Sequence, residues 1–64
     1  MNLTWYSNSV FKDGQYCIKY RAPDGVRSQT LWYKSLGDAA HQYVQIKEDW
    51  YKNEQMKFLL RETQ

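Results

Sequence analysis

The hydrophobic period of this chain changes once, near Ser35, from 2 to 3.6. Before that point three β-rich stretches follow one another: "LTWYSNSVF" over residues 3–11, "QYCIKYR" over 15–21 and "VRSQTLWYK" over 26–34. Two turn signals separate them. Asp13-Gly14 is preferred hairpin-turn chemistry. In "APDG", Pro23 pre-sets φ for a turn position and Gly25 tolerates a positive φ. Turns this short join neighbouring antiparallel strands, so the first half of the chain reads as a meander. In the second strand Tyr16, Ile18 and Tyr20 share one face, and Gln15, Cys17, Lys19 and Arg21 share the other. In the third, Arg27, Gln29, Leu31 and Tyr33 alternate with Ser28, Thr30, Trp32 and Lys34. Either set fits an inward face, and a bulge near Thr30–Trp32 would mix them.

After Ser35 the spacing is helical. Ser35-x-x-Asp38 has the form of a capping box, with Asp in the place of Glu or Gln. Leu36, Ala39, Tyr43, Ile46 and Trp50 make a 3-4-3-4 stripe with Ala40 beside it, and the two alanines would let the helix lie close on a sheet. No Gly or Pro follows Gly37, so the helix is expected to run to about residue 61. After Trp50 the stripe loses register. Asn53 and Lys57 fall where apolar residues should stand, and Met56, Phe58, Leu59 and Leu60 appear instead. Residues 56–64 are therefore expected to extend the helix as a tail. Those four apolar residues are candidates either for a partner contact or for folding back on the sheet edge. The sequence predicts one α+β domain over residues 1–64, β-β-β-α, with the helix on one sheet face.

A 64-residue chain buries only about 60% of its unfolded surface, so one small core is all it can form. The 3 Trp, 6 Tyr and 2 Phe are needed largely for that core, and Trp5 and Trp32 are expected in it, with base stacking as the other use for an open-face aromatic. Catalysis is not expected. His41 sits on the predicted helix between Ala40 and Gln42, and Cys17 would be a nucleophile only with that histidine beside it; a surface histidine and a half-buried strand cysteine are the expectation. The single Cys17 allows no internal disulfide, and one Cys with one His makes no zinc site. There is no phosphate-cradling glycine loop and no metal-spaced carboxylate cluster, so no cofactor, metal or small-molecule substrate is expected. No signal peptide and no run of about 20 apolar residues is seen, so a cytoplasmic setting without a membrane span is expected.

The net charge of +2 is uneven along the chain. Residues 1–37 carry Lys12, Lys19, Arg21, Arg27 and Lys34 against Asp13 and Asp24; residues 38–64 carry Lys47, Lys52, Lys57 and Arg61 against Asp38, Glu48, Asp49, Glu54 and Glu62. The sheet half is thus the cationic half. Lys19, Arg21, Arg27 and Gln29 on strand faces, with Lys34 at an edge, are the chemistry of duplex DNA recognition. Arg pairs bidentately with guanine, Gln with adenine, and Lys with phosphate. Exposed sheet faces are polar in any case, which is the plain alternative.

Residues 13–43 resemble the AP2-type and tyrosine-integrase arm-type DNA-binding domains. The resemblance is carried by Gly14-x-Tyr16, by "IKYR" followed by Pro23 and Gly25, and by Tyr33 just before a capped helix. In that helix Asp38, Ala39, Ala40 and Tyr43 match an acidic-Ala-Ala-x-x-Tyr pattern. It implies a three-stranded sheet backed by one helix, with the sheet laid in the major groove. The chain departs from the family in the first strand, "TWYSNSV", which lacks a run of arginines, and in the third, which lacks a glycine before its aromatic. The expected function is a non-enzymatic double-stranded DNA-binding module, such as a small phage or mobile-element accessory regulator. The alternative is a small protein-binding module, such as a phage-encoded inhibitor of a host enzyme or defence complex.

Overall fold

The computed structural model describes the backbone of residues 4–62 and the side chains of residues 4–56. Its strands are β1 (Tyr6–Lys12), β2 (Gln15–Arg21) and β3 (Arg27–Gln29), followed by one helix, α1 (Leu36–Glu62). The sheet is antiparallel in the order β1-β2-β3. This is the expected α+β meander with one C-terminal helix.

The first hairpin is regular. Seven consecutive pairs run from Tyr6↔Arg21 to Lys12↔Gln15. Its turn residues, Asp13 at φ 53° and Gly14 at φ 75°, both lie in the left-handed region that a two-residue turn matching the strand twist requires. The second turn closes through Gly25 N–H donating to Ala22 C=O (2.9 Å) and Ala22 N–H donating to Val26 C=O (2.9 Å). Asp24 Oδ1 accepts from Val26 N–H at 3.0 Å, and Gly25 supplies φ 90°.

The third strand is shorter than its β-rich sequence implies. It pairs as Lys19↔Gln29, Tyr20↔Ser28 and Arg21↔Arg27, and then the chain bulges. Pairing resumes as Tyr16↔Tyr33, one residue out of the earlier register, which places a bulge at Thr30–Trp32. Thr30 repairs the break. Its N–H donates to Ile18 C=O, its Oγ1 accepts from Ile18 N–H at 2.9 Å, and the same hydroxyl donates to Leu31 C=O. Without that oxygen a buried strand N–H would have no acceptor.

The helix runs along β2. Ser35 caps it, its Oγ accepting from Gly37 N–H at 3.2 Å and its carbonyl accepting from Ala39 N–H. Ala39 is fully buried, as its place on the stripe predicts. Trp5 joins Tyr20, Tyr43 and Trp50 in an aromatic cluster with ring centroids 5.5–6.1 Å apart. The Trp5 indole N–H donates to Tyr51 Oη at 3.0 Å. On the other flank, Gln42 Oε1 accepts from Leu31 N–H and from the Tyr33 hydroxyl, tying the bulge to the helix.

One residue of the expected stripe, Leu36, and Ala40 beside it are placed otherwise. Leu36 and Ala40 are exposed, because the helix contacts the sheet over β2 and these two positions turn toward the open flank. At 1.5 Å per residue a 27-residue helix is about 40 Å long, against roughly 24 Å for a seven-residue strand. It therefore overhangs the sheet. All side chains from Lys52 to Met56 are exposed, and Met56 is 60% exposed. The side chains of Phe58, Leu59 and Leu60 lie outside the described residues. Among the described residues no helix is long and apolar enough to cross a membrane.

Candidate nucleic-acid interface

The face of the sheet turned away from the helix is built in cross-strand rows, because directly paired residues share a face. Tyr6, Arg21 and Arg27 form one row; Asn8, Lys19 and Gln29 form the next. These six side chains line one open groove, and among the described residues none lining it is acidic. Rows two residues apart along a strand are about 6.8 Å apart.

Within the first row Arg21 and Arg27 are direct cross-strand partners. Like charges in that position repel. The Arg21 guanidinium lies 4.4 Å from the Tyr6 ring centroid, an attraction that holds one of the two arginines in place. Arg21 is consequently half-buried, whereas Arg27, Lys19 and Gln29 are exposed.

Beyond the second row the face changes character. Val10 and Cys17 pair there, and Cys17 is completely buried rather than half-buried, its thiol donating to Thr30 C=O at 3.4 Å. The one-residue shift at the bulge turns Tyr33 toward the helix and Trp32 to the outer face. There Trp32 lines a shallow depression with Lys12, Asp13 and Gln15. Trp5 packs in the aromatic cluster as expected, but Trp32 does not join the helix-side core.

Of the residues singled out by sequence, Lys19, Arg21, Arg27 and Gln29 meet in the groove. Lys34 does not line it; it is exposed in the segment between Tyr33 and the helix. Tyr6 and Asn8 belong to the same surface, although sequence reasoning misses them. The alternation of Tyr6, Asn8, Val10 and Lys12 against Ser7, Ser9 and Phe11 is the signal that finds them. His41 is exposed on the helix. Comparison of the chain with family models, with curated proteins and with solved structures finds no match.

Proposed function

We propose that this chain is a non-enzymatic binder of double-stranded DNA that uses the outer face of its sheet, in the manner of the AP2-like and integrase arm-type domains its sequence resembles. One observation carries the reading. Arg21 and Arg27 are cross-strand partners in a groove that, among the described residues, has no acidic lining, so two like charges stand on one open surface where a bound anion would be favoured. The shape is compatible. Three strands about 4.8 Å apart span roughly 10 Å, and a major groove is about 12 Å wide. Arg27 and Gln29 on β3, with Lys19 on β2, are the residues for base edges and phosphates. Arg21, ordered against Tyr6, would lose less side-chain freedom on binding. The regulator role of a small phage or mobile-element protein belongs to this same proposal.

The test is titration of random-sequence duplex DNA at several salt concentrations. Log affinity is expected to fall linearly with log salt, and Arg21→Ala/Arg27→Ala to reduce the slope by about two. Unchanged binding by the double variant at low salt removes the reading. A second reading rests on Met56, exposed on the helix overhang. It makes Met56, Phe58, Leu59 and Leu60 a contact for a protein partner, such as a host enzyme or defence complex. Apolar contacts of that kind would respond little to salt.

A further inference from the structure

The two edges of the sheet are protected very differently. The β3 edge is three residues long, carries Arg27 and ends in a bulge. Short length, charge and bulging are the devices that stop an edge from pairing with another strand. The β1 edge has none of them. It is seven residues long, "YSNSVFK", without Pro, Gly or bulge, and Lys12 at its end is its only charge. Among the described residues no strand covers it.

Beside that edge the helix side of the sheet is also open. The helix lies over β2, leaving Ser7, Ser9 and Phe11 exposed, with Phe11 63% exposed. The helix flank above them is fixed by Tyr51 and Lys47, which reach Trp5 just before β1. On that same flank Leu36 and Val44 are exposed, at 43% and 49%.

We infer that β1 is the contact strand of a homodimer, in which two copies of Tyr6–Lys12 pair antiparallel about a two-fold axis and continue the sheet from three strands to six. The occupant follows from the strand's own pattern. With the axis at Ser9, Lys12 stands opposite the partner's Tyr6, Ser7 opposite the partner's Phe11, and Asn8 opposite the partner's Val10. No like charges meet, and each bulky residue faces a small or flat one. The two helices, each over its own β2, come to lie three strand spacings apart, about 14 Å. Helices in direct contact are 8–10 Å apart. Phe11, Leu36 and Val44 of both copies occupy the remaining space, so the pairing covers the apolar flank as well as the edge.

The inference does not depend on DNA binding. A six-stranded sheet is about 24 Å across, too wide for one major groove, so if the outer face does bind duplex DNA, the duplex and the second copy exclude each other.

The experiment is sedimentation equilibrium of the full chain over a range of protein concentrations, without nucleic acid. The native chain is expected to show a reversible monomer–dimer equilibrium. Ser9→Lys is expected to be monomeric with an unchanged circular dichroism spectrum, since Ser9 is exposed in the monomer and two lysines would meet at the axis. Met56→Glu is expected to leave the dimer intact. A native chain that stays monomeric at the highest concentration overturns the inference. So does a dimer that survives Ser9→Lys, or one that Met56→Glu dissolves. Should Ser9→Lys misfold, Ser9→Cys replaces it: oxidation is expected to give a covalent dimer through residue 9, and its failure to do so counts against the pairing.

Discussion

The two hairpins share a strand yet are held together in different ways. β1–β2 is closed by a two-residue turn and paired without interruption over seven positions. β2–β3 keeps three pairs; at the bulge Thr30 Oγ1 stands in for a backbone acceptor, and beyond it one backbone pair, Tyr16↔Tyr33, is buttressed by Gln42 reaching across from the helix. The regular hairpin provides a scaffold held by unbroken backbone pairing and by cross-strand contacts of Tyr6 with Arg21 and Phe11 with Tyr16. The irregular one has two jobs: it presents Arg27 and Gln29 on the outer face, then, shifted by one residue in register, turns Tyr33 inward and Trp32 outward. An unbroken β3 would send Leu31 and Tyr33 to the outer face beside Gln29. The bulge is therefore what ends the polar rows and seats the helix.

That difference can be broken most severely at the repair point. Thr30→Val keeps the shape of a residue that is 2% exposed but removes the acceptor for Ile18 N–H. An unsatisfied buried donor costs about 1–3 kcal/mol, which chemical denaturation will read directly. Ala39→Leu is expected to cost a similar ~1–3 kcal/mol by overpacking the helix against the sheet. Ala40→Leu, one residue on but exposed, should stay within about 0.5 kcal/mol. Equal effects at the two alanines would mean that the helix is rotated about its axis.

In the regular hairpin the sensitive point is the turn. Gly14→Ala places a Cβ at φ 75°, and although nothing lies within 4 Å of that Cβ, the left-handed backbone itself costs about 1–2 kcal/mol. The melting temperature should fall, while near-ultraviolet signals of the Trp5 cluster at the other end of the hairpin return unchanged below the transition.

These contrasts also mark what is legible in the sequence. Asp13-Gly14, Pro23 and Gly25 act locally, so the turns and the β-β-β-α order can be read directly. The face carrying Lys19 and Arg21 follows from alternation in β2, which is regular from end to end. The third strand resists, because a bulge shifts the side-chain phase by one residue and no local residue type announces it. Thr30 reads as an ordinary strand threonine until Ile18 is seen to need its oxygen. Lys34 joins the outer-face residues in sequence by charge and by its place at the strand end alone; an unbroken strand would have put it on the opposite face, with Ser28, Thr30 and Trp32. Leu36 and Ala40 fit a helical stripe, but a single strand beneath the helix gives a narrower contact than the stripe supplies. Alternation groups Tyr6 with Asn8, and the pairing with β2 then fixes that they share the face of Arg21 and Lys19.

A small expected effect on stability, and of opposite sign, bears on the outer face itself. Arg27→Glu replaces a like-charge pair with an attractive one opposite Arg21 and should stabilise the fold by about 0.2–1 kcal/mol. If the outer face binds duplex DNA, the same change destroys the anion-binding row. The most direct measurement is therefore a titration of random duplex DNA into Arg27→Glu and the native chain at matched low salt, on samples whose melting curves show both to be folded. The proposed interface predicts that the variant, no less stable than the native chain, loses duplex binding. If Arg27→Glu binds duplex DNA as tightly as the native chain, the outer sheet face is not the binding surface.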